Sequence, residues 1–140
     1  MLFRSVYLPV SNPGALLYFG DAHALQGDGE MNGNALETSL EVEFSVDVIP
    51  RRRTPGPRVE SDTHIMAMGL GGSLDDAFKS ATANMAGWIA EDYKLTPAET
   101  AELFGTAAEY RISEVADRNA GVVLKINKER LLALKSKDAN

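Results

Sequence analysis

The sequence predicts an α+β fold, with antiparallel, barrel-like strands and two to three helices packed on one side. Three stretches predict it. Leu40, Val42, Phe44, Val46 and Val48 alternate with Glu41, Glu43, Ser45 and Asp47, the period-two pattern of a strand with one buried and one wet face. Leu74, Phe78, Ala81, Met85, Trp88 and Ile89 fall at helical spacing behind Ser73, an N-cap residue, with Asp75 and Asp76 placed to favour the helix dipole. Thr96-Pro97-Ala98-Glu99 is a capping box with proline at the first helical position.

The remaining elements follow in order. Val6 to Val10 reads as a short strand closed by Ser11-Asn12-Pro13-Gly14, a turn signal. Ala15 to Phe19 is an apolar run that reads as a buried strand. Residues 20–30 form a polar loop, and 49–57 another, with Arg51-Arg52-Arg53 between prolines as a solvated loop or subunit contact. Arg58 to Ser61 and His64 to Leu70 read as strands. The second helix runs from the capping box through Ala108. Tyr110 to Val115 and Val122 to Ile126 are closing strands around a turn at 117–121. Asn127 to Lys135 is a short helix docking Leu131, Leu132 and Leu134, and residues 137–140 form a fraying tail. The domain is assigned to residues 6–136. Met1 to Ser5 reads as a non-native start, because Leu-Phe-Arg-Ser is also the translation of a common sequencing adapter.

Composition narrows the function. In 140 residues, 20 acids against 14 bases give a net charge of −6, which argues against nucleic acid as a partner, since phosphate binding needs a basic face. The absence of cysteine removes thiolate catalysis, disulfides and cysteine-ligated zinc, and fits a cytoplasmic protein. No apolar run reaches the length of a membrane span.

The chemistry concentrates in Gly20-Asp21-Ala22-His23-Ala24-Leu25-Gln26-Gly27-Asp28-Gly29-Glu30. Asp21 and His23 are two apart and share a face on an extended segment. Carboxylate and imidazole together suit a divalent cation, although Asp and Gly clusters also make ordinary turns.

Residues 6–37, with Tyr7-Leu8-Pro9-Val10, Pro13-Gly14-Ala15-Leu16, the loop above and Gly33-Asn34-Ala35-Leu36-Glu37, resemble the acetamidase/formamidase family, as does Glu109-Tyr110-Arg111-Ile112-Ser113-Glu114-Val115-Ala116-Asp117. The chain is similar to the C-terminal portion of that family, whose members are much longer, so the N-terminal half is expected to be missing. The resemblance implies hydrolysis of short linear amides such as acetamide or formamide to an acid and ammonia, by an assembly of two copies.

With no serine or cysteine nucleophile motif, a metal-activated water is the candidate for attack, with zinc the expected metal and calcium the alternative. Asp21, His23 and Asp28 are the expected ligands, Glu30 the general base and acid, and Gln26 the group orienting the amide. Glu37, a further catalytic candidate, matches a family position and equally suits a turn cap or an arginine partner. His64, four residues after Glu60, is a candidate for substrate binding. Arg111 and Asp117 are expected to form a structural ion pair beside the last helix. A non-catalytic metal- or ligand-binding domain, or a subunit needing a separate N-terminal chain, are the alternative readings.

Overall fold

The computed structural model describes residues 4–135. Its elements are β1 (Ser5–Tyr7), β2 (His23–Leu25), β3 (Leu36–Glu37), β4 (Arg58–Glu60), β5 (His64–Gly71), α1 (Leu74–Trp88), α2 (Pro97–Ala107), β6 (Glu109–Glu114), β7 (Ala120–Asn127) and α3 (Lys128–Lys135). A five-stranded antiparallel sheet has the order β1-β4-β5-β7-β6, and β2 with β3 forms a separate two-stranded ribbon. The α+β expectation holds. β1 begins at Ser5, inside the five residues read as a non-native start. The 137–140 tail lies outside the described residues.

One face of the sheet makes the core. Ile65 and Ala67 on β5 and Val122, Leu124 and Ile126 on β7 are buried at alternate positions, as period-two strands require. Ala77, Ala81, Met85 and Trp88 of α1 cover them, with Ile89, Leu95, Leu103 and Leu131 closing the cluster. The expected apolar stripe of α1 is therefore largely the buried one, although Leu74 and Phe78 remain over 40% exposed at its first turns.

Both predicted caps are present. Ser73 Oγ accepts from the Asp76 amide, and Thr96 and Glu99 exchange both bonds of the capping box. A short π-helical turn, Ile89–Tyr93, continues α1 and stops at Lys94 in the left-handed region. The helix crosses β5 at Gly69, where an added Cβ would stand 2.2 Å from both the Ala77 carbonyl oxygen and the Ala81 nitrogen. Only a residue without a side chain lets the helix backbone come that close.

A buried polar clamp fixes α1 to β4. Arg58 is 1% exposed; its Nε donates to Asn84 Oδ1 at 2.8 Å and a terminal nitrogen donates to the Asn84 carbonyl at 3.2 Å. Asn84 Nδ2 in turn donates to the carbonyls of Pro57 and Met68. The guanidinium lies 5.3 Å from the Trp88 ring centroid and pairs with Glu91 at 3.3 Å.

Four expectations require correction. Residues 15–19 form no strand, and Leu16, Tyr18 and Phe19 are 60% exposed or more. The alternating segment 40–48 is likewise extended without a ladder, its five apolar residues all more than half exposed. In both, the residues have strand character, but no neighbouring strand among the described residues accepts their backbone groups. Leu132 does not dock; Leu131 fills the core and Leu132 is 54% exposed. Within the basic triplet, Arg52 is not merely solvated, since it binds Asp92 at 2.6 Å.

Candidate metal centre

The ribbon builds the site. β2 and β3 pair His23 directly with Glu37, and the Thr38 amide donates to the Ala22 carbonyl at 2.9 Å to extend the pairing. Cross-strand neighbours lie close enough for their side chains to meet. Asp21 joins them from a left-handed backbone conformation, φ 60°, which aspartate tolerates better than most residues. One ligand atom from each of Asp21, His23 and Glu37 lies within 4.8 Å of the others.

The loop is fastened to the end of β6 at three points. The Val115 amide donates to the Gly29 carbonyl at 2.9 Å. Gln26 Nε2 donates to the Ser113 carbonyl at 3.0 Å. Arg111 binds Asp28 at 2.9 Å. Gly29 is buried at φ 83° with Met31 and Val115 against it, so a side chain there would strain both backbone and packing.

Gln26 also determines which imidazole nitrogen is free. Its amide NH2 is committed to Ser113, so its Oε1 faces His23 Nδ1 at 2.9 Å and accepts that nitrogen's proton. Nε2 then points between Asp21 Oδ1 at 3.3 Å and Glu37 Oε1 at 3.2 Å. It is buried and finds no hydrogen-bond partner among the described residues. Three acceptors converging on one point need a proton or a cation among them. The Gln26 bond raises the imidazole pKa, burial opposes it, and the charges of Glu37, Asp21 and Glu30 reinforce the rise. The donor set of one imidazole with an orienting partner and two carboxylates fits a zinc-type ion.

Glu30 stands at the edge of this cluster, also at positive φ, 44°. Burial lifts its pKa, His23 lowers it, and Glu114, Asp21 and Glu37 raise it further, with a net rise. A carboxyl held above its ordinary range is what proton transfer near neutrality uses.

The sequence-derived site residues thus separate into two groups. Asp21, His23, Gln26, Glu30 and Glu37 come together. Asp28, expected as a ligand, instead neutralises Arg111, and it is Asp28 rather than Asp117 that forms this arginine's ion pair. The Asp117 amide donates to Glu114. His64 opens β5 opposite Asn127 and bonds Thr63, while Glu60 is taken by Lys128 and Tyr7. Gly29 packs near Ile112, whose register partner across β7 aligns with Gly69, so His64 sits five residues away along β5. That is roughly 17 Å at about 3.4 Å per residue. The role of Glu37 as the cross-ribbon partner of His23 was not visible in its spacing; the Asn32-Gly33 turn, with Gly33 at φ 73°, was the available signal for a hairpin.

The family model described as acetamidase/formamidase matches residues 4–60, the segment that contains the ribbon and its loop. The acetamidase of Yersinia enterocolitica superposes with a TM-score of 0.81 at 33% identity, over 91% of this chain and 39% of that one. The chain is acetamidase/formamidase-like. An acetamidase from Bacillus halodurans gives a TM-score of 0.75 at 32% identity, over 94% of this chain and 44% of its own. A predicted acetamidase/formamidase from Thermoanaerobacter tengcongensis gives 0.72 at 27%, over 79% and 37%. The acetamidase-like chain therefore spans less than half the length of these relatives. No curated protein matches it.

Proposed function

We propose that this chain supplies the cation-binding loop of an amide hydrolase that converts a short linear amide to a carboxylic acid and ammonia. The observation that carries the reading is the buried, unpartnered His23 Nε2 aimed between Asp21 and Glu37, in a chain similar to acetamidases. Asp21, His23 and Glu37 would hold a divalent ion, with zinc favoured by the imidazole. Such an ion supplies Lewis acidity, activating water and polarising an amide carbonyl. Gln26 keeps the proton on His23 Nδ1 and so holds Nε2 available. Glu30, with its raised pKa, takes a proton from water and returns one to the departing amine. Gln26 therefore acts on the imidazole, with both ends of its amide already engaged, rather than on the substrate as its sequence position suggested.

One observation favours a second reading, a binding domain without catalysis. The Asp21 and Glu37 side chains are more than half exposed. The large cleft of about 480 Å³ lies elsewhere, between β1, residues 47–54 and Trp88.

Metal analysis and ammonia release from acetamide and formamide decide between these. Stoichiometric zinc that is lost on His23→Ala and on Glu37→Gln, but retained on His64→Ala, is expected. Ammonia release that depends on Glu30 supports the hydrolase, whereas bound zinc without turnover, in the chain joined to the remainder of an acetamidase, supports the binding domain. Absence of metal in the wild-type chain overturns both.

A further inference from the structure

Two segments of this chain have the composition of strands and no sheet. Leu16, Leu17, Tyr18 and Phe19 are 44–80% exposed, and Leu40, Val42, Phe44, Val46 and Val48 are 52–74% exposed. The segments lie against each other, with the Phe19 and Phe44 ring centroids 4.4 Å apart. They therefore form one apolar patch rather than scattered exposed residues, and contiguous patches of this kind mark interaction surfaces. The backbone of 40–48 is extended and enters no ladder among the described residues. An extended segment with bare donors and acceptors pairs readily with another strand.

The strict alternation identifies the kind of partner. A segment destined for water on both faces has no use for five large apolar residues at every second position, whereas a strand whose one face is covered requires them. The wet face, Glu41, Glu43, Ser45 and Asp47, carries three acids and no base, which disfavours pairing two copies of 40–48 side by side, because like charges opposite one another repel. The family match runs from 4 to 60 and so includes both segments. In the Yersinia enterocolitica acetamidase the matched part is 39% of the chain, leaving the larger share of that polypeptide beyond it.

We propose that residues 15–19 and 40–48 are docking strands for polypeptide carrying the part of the acetamidase fold that this chain does not contain, which adds its own strands to them and covers the apolar patch. The inference stands on the unpaired strands and does not depend on the metal reading.

The test is co-expression of the chain with the portion of the Yersinia enterocolitica acetamidase that it does not match, followed by capture through a tag on that portion and hydrogen exchange of the complex. A one-to-one complex is expected, with exchange of the 40–48 amides slowed about tenfold or more. Phe44→Asp with Val46→Asp should reduce capture about tenfold or more. Both residues lie outside the core, so this variant should keep the urea midpoint of the chain, and His23→Ala should still be captured while losing metal. The proposal is overturned if no complex forms, if the acetamidase portion stays insoluble with the chain present, if the double variant is captured as well as the wild type, or if the chain alone forms a dimer that protects 40–48 and excludes the acetamidase portion.

Discussion

Replacing Arg58 by methionine tests whether the buried clamp stabilises the fold. Two charged-donor hydrogen bonds to Asn84 would be lost, and Asn84 Oδ1 would be left buried without its donor. Bonds to charged groups contribute about 1.5–3 kcal/mol each, and an orphaned acceptor costs about 1–3 kcal/mol. The Glu91 partner is half exposed, so its pairing adds under about 1 kcal/mol. Against these stands relief from burying a guanidinium, worth several kcal/mol. Methionine also keeps much of the packing on Trp88. The balance is a loss of roughly 3 kcal/mol, or about 10 °C in Tm for a domain of this size. Urea unfolding followed by circular dichroism and by Trp88 fluorescence measures it, and Asn84→Ala completes a double-mutant cycle. A loss below about 1 kcal/mol would refute the reasoning, because it would mean that desolvation of the charge cancels the clamp. A coupling energy near zero between positions 58 and 84 would refute it as well.

Gly69→Ala should destabilise the chain by at least the roughly 1–3 kcal/mol of an overpacked core, since the new methyl meets helix backbone rather than a side chain that could turn aside; an unchanged urea midpoint would mean that α1 can lift off β5 freely. Acid should also weaken the fold through Asp92. Burial raises this carboxyl's pKa, but hydrogen bonds from Arg52 and Trp88 and the charges of Arg52 and Arg58 outweigh it and hold the group below its ordinary value. A carboxyl depressed in the folded state contributes stability above its unfolded pKa of about 3.9 and loses it as pH falls through the folded value. Asp92→Asn should therefore be less stable than wild type at pH 7, with the gap closing below about pH 4. A gap that stays constant from pH 7 to pH 3 would show that Asp92 is not responsible.

The parts of the fold legible in the sequence are those whose signals are local. The caps at Ser73 and Thr96 and the stripe of α1 depend on residues three and four apart, and they stand where the pattern put them. The strands 58–60, 64–71, 109–114 and 120–127 were also near their expected places, because each is bounded by turn residues. Residues 15–19 and 40–48 carried an equally clear pattern and failed, since a strand is completed by a neighbour that local sequence does not specify. In the loop, the closeness of Asp21 and His23 was legible through their spacing of two. The ion pair of Asp28 has no local signal, because its partner, Arg111, lies 83 residues away. Glu37 was under-read for the same reason, its position being defined by the ribbon register and not by its neighbours. The Arg58 clamp left no local trace at all, since a buried arginine becomes plausible only once Asn84 and Trp88 are known to surround it.

The three fastenings of the loop to β6 have a thermodynamic consequence. Asp21 and Glu30 both sit at positive φ, so the arrangement that gathers Asp21, His23 and Glu37 carries backbone strain of order 1 kcal/mol or more. Val115, Ser113 and Arg111 offset that strain from outside the cluster. If the proposed cation site is filled, cation binding and loop docking are two equilibria joined by linkage, and each must favour the other by the same factor. An ion titrated into the chain would report the energy of ordering residues 20–30 together with that of coordination. A change at the far side of the fastening, such as Arg111→Ala, should appear as weaker ion affinity although the arginine touches none of the ligands.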